Sequence, residues 1–388
     1  MMERNIEEEN EVKWDIPIWY SINGTEQPML WLKDSTETSD GDLIVLNFRS
    51  EGFYRVQYAP DEMQQIRQQL FDNHTKISMN SRVRIINDAF TLAEGGYLPY
   101  EVKIFLNLTN YVLKDTLNLT KYLVKEEEYP PWEMALTGFN VIQNYFDDEP
   151  ENEDLGAYIK LLIGDIFDRE LDKIGEWKSE DKEKDFFNDL LHQRIVQTMC
   201  TLRDSRCINA ILDIYRRQFV NFCTNLITRE NNINNSVLPS LPHIQERKMA
   251  SQCSKIPATF RTLAYCEGVH YGTEQDWNLV LELFRNEIVQ VEKERLLIAL
   301  ACSRDTLTLK MLLTMAIDLN NTIIRLQDSP SVFKYVGSRI IGKKIILDFF
   351  IDKWPIIYQK PTTYVTFNYF FINYWQISKG YGPSRELS

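Results

Sequence analysis

The residues best suited to hold a metal or act as nucleophiles are four histidines (His74, His192, His243, His270) and six cysteines (Cys200, Cys207, Cys223, Cys253, Cys266, Cys302). The histidines lie 118, 51 and 27 residues apart and none is followed by glutamate. The His-Glu-x-x-His helix, which presents two zinc ligands one turn apart, is therefore absent. No cysteine pair is spaced Cys-x-x-Cys, which argues against a zinc ribbon or a dithiol redox site. A set made of His243, Cys253, Cys266 and His270 has no recognised ligand spacing, and surface histidines with structural cysteines explain it better. The run Gly337-Ser-Arg-Ile-Ile-Gly342-Lys343-Lys344 nearly matches a phosphate-binding loop. Its last position, which should offer a hydroxyl to magnesium, is lysine, and the flanking Val332, Phe333, Val336, Ile340 and Ile341 read as helix. It is read as a turn between two helices. Acidic runs such as Glu126-Glu127-Glu128 and Asp147-Asp148-Glu149 have the pattern of solvated faces. The chain is assigned no catalytic residue and no metal ligand.

Modification chemistry is better represented. Asn-x-Ser/Thr acceptors occur at Asn23, Asn73, Asn107, Asn118, Asn234 and Asn320, where chance would give about three. These sequons and the even cysteine count lean toward a secretory compartment. Against that, the start Met1-Met2-Glu3-Arg4 has no apolar segment of a secretory leader. The conflict gives the expectation that the chain is part of a longer one. With 43 Lys+Arg against 56 Asp+Glu, the net charge of −13 lacks the basic footprint that nucleic acid or an anionic membrane requires. No stretch approaches the 18 consecutive apolar residues of a transmembrane helix.

The elements that must position these residues fall into two kinds. Residues 1–13 are acidic and read as disordered. From 14 to 60, Ile16, Ile18, Tyr20 and Ile22 alternate with other residues, Leu43 to Phe48 is β-branched and apolar, and Phe53 to Tyr58 is aromatic-rich. Turn signals at Asn23-Gly24, Asp40-Gly41-Asp42 and Glu51-Gly52 separate them, so three or four antiparallel strands are expected. From 61 to 360 the period is helical: Val83, Ile86, Phe90 and Ala93 step by three and four, and Ile208, Ile211, Tyr215, Phe219 and Phe222 form a second stripe. Helices with short polar connections and no exact repeat predict an irregular, solenoid-like superhelix of HEAT- or ARM-like helix pairs behind a small β-sandwich remnant. Arg229 to Ser254 reads as a long loop, and 361–388 as a divergent or disordered tail.

Several collinear strings resemble one family. Gly52-Phe53-Tyr54-Arg55-Val56-Gln57-Tyr58 is similar to a strand of aminopeptidase N and of the endoplasmic-reticulum and glutamyl aminopeptidases. Trp14-Asp-Ile-Pro17-Ile and Trp31-Leu32 resemble the strands before it. Arg84-Ile-Ile-Asn-Asp88-Ala-Phe90-Thr-Leu92-Ala93 resembles the first signature of the family's helical domain. Pro131-Trp132-Glu133, Tyr265-Cys266-Glu-Gly268, Ala299 to Ser303, Ile324 to Asp328 and Asp348 to Trp354 follow in order.

The resemblance implies the end of the sandwich and most of the C-terminal superhelix of a zinc aminopeptidase, which removes N-terminal residues from peptides. Zinc, its ligands and the exopeptidase loop would lie on a catalytic domain absent from this chain, in the same or a companion chain, so this chain itself holds no cofactor. The helical region would close the peptide cavity over that domain. Peptides are then the expected ligands, and the cell surface or the lumen of the endoplasmic reticulum the expected place, with the cytoplasm left for an isolated chain. Arg55 and Arg325 match motif positions and are read as structural. The family's spacings of 7 and 36 imply disulfides Cys200–Cys207 and Cys266–Cys302, the first also suiting a turn at Arg203-Asp204-Ser205. Cys223 and Cys253 flank the long loop and could form a third bridge that no family match supports. The alternative is a free-standing, non-catalytic helical module that binds peptides or a protein.

Overall fold

A computed structural model describes residues 15–32, 42–95, 117–145, 150–171, 186–224, 249–318, 320 and 323–358. The expectations for Asn107, Asn234, His243, the acidic N-terminus and the tail lie outside these residues. The described chain is mostly α-helical, with a small antiparallel β portion at its start.

Strand β1 (Ile16–Ile18) pairs antiparallel with β4 (Leu30–Leu32), placing Ile16 opposite Leu32. Pro17 is tolerated there because a two-stranded ladder leaves one edge of each strand unpaired. Strand β2 (Tyr20–Ile22) is flanked by β3 (Thr25–Glu26) and β5 (Ile44–Leu46). The β2–β3 turn is Asn23-Gly24, with φ of 50° and 83°, the positive angles a tight hairpin requires. Val45 and Ser21 point inward.

The reading of Phe53 to Tyr58 as a strand is corrected: among the described residues this stretch joins no ladder. Its polar groups go elsewhere. The Val56 amide donates to Asp88 Oδ2 at 3.0 Å and Arg55 donates to Asp88 Oδ1 at 3.0 Å. The Tyr58 hydroxyl accepts from the Leu46 amide at 3.0 Å. A buried carboxylate on the second helix thus replaces a neighbouring strand as the partner of this backbone.

Helix α1 (Pro60–Asn73) begins with proline in its first turn, where no amide partner is lost. Helix α2 (Met79–Glu94) is capped by Ser78, whose hydroxyl accepts from the Ser81 amide, and it buries Ile85, Ile86, Ala89 and Ala93. Helix α3 (Tyr129–Tyr145) starts through Pro130-Pro131 and buries Trp132, Ala135, Leu136, Phe139 and Ile142 along one face. The α2–α3 contact is close because Gly138 faces the Phe90 ring, which a Cβ would meet at 2.4 Å. Beneath them, Arg82 holds Glu126 through two bonds of 2.7 and 2.9 Å, both side chains almost fully buried.

Further along come α4 (Pro150–Leu171), α5 (Phe186–Thr201) and α6 (Ser205–Ile214), the last continuing as a π-helical turn over Tyr215–Val220. Then follow α7 (Ala250–Cys253), α8 (Arg261–Tyr271), α9 (Glu274–Asn286) and α10 (Gln290–Leu300). Finally there are α11 (Thr306–Ile317), α12 (Ser329–Gly337) and α13 (Ile340–Tyr358). Connections as short as two or three residues force sequence neighbours to pack. Asp204 and Asp305 cap α6 and α11 by accepting two amides each. Phe219 lies 4.3 Å from the Tyr265 ring, and Gly268 leaves room for Tyr215, whose ring a Cβ would meet at 2.4 Å. The chain divides into two compact units, one of residues 1–165 with 185–191 and one of 166–184 with 192–388.

Candidate functional site

All six cysteines belong to the second unit and all are paired. Cys200–Cys207 spans the α5–α6 turn, with Cα atoms 5.2 Å apart. Arg203 makes that turn possible by adopting a left-handed φ of 57°, so that its amide reaches the Cys200 carbonyl and the Asp204 amide the Met199 carbonyl. Cys266–Cys302 ties the middle of α8 to the end of α10 at 5.3 Å, and Cys223–Cys253 joins the end of the π-turn helix to α7 at 5.1 Å. The third bridge had no family spacing behind it. Its signal in the sequence was elimination: two cysteines left over in a chain with an even number.

One end of this pile carries a cleft of about 600 Å³. Its walls come from the end of α8 (His270, Tyr271), Thr273 and Glu274 at the start of α9, the α10–α11 connection (Ser303, Arg304, Asp305) and Ile341 of α13. His270 Nδ1 lies 3.1 Å from the Cys302 carbonyl, so the Nδ1 proton is donated there and Nε2 keeps its lone pair. Burial, helped by the charge of Arg203, lowers His270 to about 4, with Arg304 and Arg339 acting in the same direction. It is neutral at pH 7. Arg203 pairs with the buried Glu267 at 2.9 Å. Burial raises the Glu267 carboxyl, and Arg203 and Arg339 oppose it. Burial also lowers the Arg339 guanidinium, against Glu267, and its Nε has no hydrogen-bond partner. Arg203 and Arg339 thus act on the Glu267 carboxyl, and with Arg304 on the imidazole of His270. Of the three only Arg304 lines the cleft, where Glu274 and Asp305 face it with the opposite charge.

The described residues do not fit a zinc site. Among them no group of three or more His, Cys, Asp or Glu could hold a metal ion. Cys253 and Cys266 lie in different bridges, and His270 is committed to a carbonyl. The near match to a phosphate loop is the junction of α12 and α13, and its Gly342 has a packing reason: a Cβ there would lie 1.8 Å from the Val336 carbonyl oxygen. Arg55 bonds Asn87 and Asp88, and Arg325 bonds Asp328 and Gln290. Among the described sequons, Asn23, Asn73 and Asn320 are exposed and Asn118 is half-buried.

A family model described as the ERAP1-like C-terminal domain matches residues 43–374. The chain belongs to this family. The ERAP1-like domain here is 30% identical to aminopeptidase N of Haemonchus contortus over 362 residues, which is 92% of this chain and 34% of that protein. It is 25% identical to human aminopeptidase N over 352 residues, 89% of this chain and 32% of the other. It is 26% identical over 349 residues to the aminopeptidase-like protein AC3.5 of Caenorhabditis elegans, covering 89% and 28%. The chain therefore spans about a third of the length of the curated relatives it matches. Three disulfides and these relatives suggest an extracellular or secretory-pathway protein. No described helix is long and apolar enough to cross a membrane.

Proposed function

We propose that this ERAP1-like domain serves a zinc-dependent aminopeptidase as the helical wall that closes the peptide cavity over a catalytic domain, at the cell surface or in the lumen of the endoplasmic reticulum. The match over residues 43–374 carries the reading. In this view residues 14–60 end a β-sandwich, the helices from 61 to 360 form the wall, and zinc sits on the catalytic domain. The cleft beside His270 would give that wall an open polar recess, lined by Arg304 together with Glu274 and Asp305. A stacked helical array suits a wall, since loops that fall on one side give a continuous binding face.

The test is a chimera in which this chain replaces the C-terminal third of the Haemonchus contortus enzyme. A soluble chimera with all three bridges formed should release single aminoacyl fluorophores and discriminate among peptides by length. The catalytic region alone should not discriminate. Equal treatment of long and short peptides by chimera and catalytic region would defeat the reading. The 388-residue chain alone should show no chelator-sensitive turnover, against rates on the order of 1 per second for ordinary enzymes.

A further inference from the structure

The sequons offer four described asparagines, and the structure separates them by what their amides and hydroxyls are doing. At Asn73-His74-Thr75 both Asn73 and Thr75 are exposed at the C-terminal end of α1. Asn73 Oδ1 accepts the Thr75 amide at 3.1 Å and the Thr75 hydroxyl at 2.6 Å. This closes a side-chain turn that holds acceptor and hydroxyl together. Its Oδ1 bonds polarise the amide, and no described group takes the Nδ2 hydrogens. Asn23 is exposed too, but its Nδ2 donates to Asp42 at 3.0 Å and its Oδ1 accepts the Leu43 amide at 3.1 Å, so the amide is a strut between two parts of the β portion. At Asn118 the asparagine is half-buried and Thr120 is fully buried. The Thr120 hydroxyl lies 2.8 Å from the Leu117 carbonyl and 2.9 Å from the Tyr158 hydroxyl, inside the packed core. Asn320 is exposed, with its Thr322 outside the described residues.

We propose that Asn73 is an N-glycan acceptor of this domain and that the Asn118 sequon stays bare in the folded protein. Asn73 Nδ2 attacks the anomeric carbon of a lipid-pyrophosphate-linked oligosaccharide. The new N–C bond replaces the sugar's C–O bond, the lipid pyrophosphate leaves with that electron pair, and the amide proton passes to a base of the transferring enzyme. The resulting glycan projects from an exposed helix end and disturbs no described side-chain contact other than the local turn. A glycan at Asn118 would stand on a core-facing hydroxyl pair, and chains carrying it would fail to pack Tyr158 and Leu119.

This inference rests on the secretory reading, and the experiment keeps the two apart. The full chain is expressed behind a cleavable leader in eukaryotic cells and mapped for disulfides. It is then deglycosylated in heavy-oxygen water, which marks each formerly glycosylated asparagine by mass. The expected result is a label at Asn73, none at Asn118, and loss of the Asn73 label in Thr75→Ala with its retention in Thr75→Ser. Complete bridges without a label at Asn73 would overturn the glycan assignment and leave the secretory reading standing, as would a label on Asn118 in fully bridged protein. The secretory reading is judged separately, from whether the native chain carries its bridges when isolated from its own cells.

Discussion

Reducing agent should unfold one half of this protein and spare the other. The bridges close loops with sequence separations of 7, 30 and 36 residues, and the three loops follow one another without nesting. Each therefore restricts a different part of the unfolded chain, and their contributions add. Loop-closure entropy gives about 2.5 kcal/mol for the short loop and about 3.7 and 3.8 for the others at 25 °C, or about 10 together. Half of that already rivals the whole stability of a typical domain, roughly 5–15 kcal/mol. The first unit contains no cysteine, and its core rests on the α2–α3 packing and the Arg82–Glu126 pair.

The measurement is hydrogen exchange with mass spectrometry, with and without a phosphine reductant, after alkylation has shown that all six thiols are free. Amides of α6, α8 and α10 should lose their protection while those of α1 to α3 keep theirs. Replacing Cys266 and Cys302 by alanine should lower the denaturant midpoint of the second unit more than replacing Cys200 and Cys207. Unchanged protection in fully reduced protein would refute the entropic reasoning. Parallel loss in α1 to α3 would refute the independence of the two units.

Other outcomes follow from single contacts. Arg82→Met should cost about 3–5 kcal/mol by leaving Glu126 buried without its guanidinium partner, while Arg82→Met with Glu126→Leu should cost less than either single change in chemical denaturation. His270 binds its proton near 4 in the folded protein and near 6.5 when unfolded, so the stability it contributes is complete above about pH 6.5 and is lost as pH falls toward 4. His270→Gln should flatten that slope in thermal midpoints taken between pH 7 and 5. Asp305→Ala, which leaves the Leu307 and Thr308 amides uncapped, should lower stability by about 1 kcal/mol and raise exchange in the first turn of α11.

Local periodicity made most of the helices legible. Val83, Ile86, Phe90 and Ala93 mark α2 because a helix packed on one side repeats its apolar positions at three and four. Phe53 to Tyr58 misled for a related reason. A short aromatic-rich run announces an extended backbone, and says nothing of which group satisfies its amides. Here that group is Asp88, some thirty residues on, and only the fold brings it there. Cys223–Cys253 was legible only as the pair left over beside the long loop, because spacing alone cannot choose among the pairings that six cysteines allow.

The cleft was hidden differently. His270 and Arg304, which line it, and Arg203 and Arg339, whose charges act on His270, carry no shared motif, and each is separated from the next in sequence by one or more helices. Yet each lies in or beside a connection: α5–α6, the end of α8, α10–α11 and α12–α13. In a run of antiparallel helices alternate connections fall on the same end, so residues two helices apart become neighbours while adjacent connections stay a helix length away. From α8 onward the even-numbered helices all hand over at that one end, which is where the cleft opens. The sequence signal was therefore alternation alone, since the other connections are polar too, as Glu287, Asp318 and Asp328 show, with caps such as Thr273 and Asp305 marking the helix starts. Reading it requires counting helices correctly, since one missed helix reverses the assignment of every later connection. The weakly patterned stretch from Arg229 to Ser254, which hides the short helix α7, is where that count is hardest to keep.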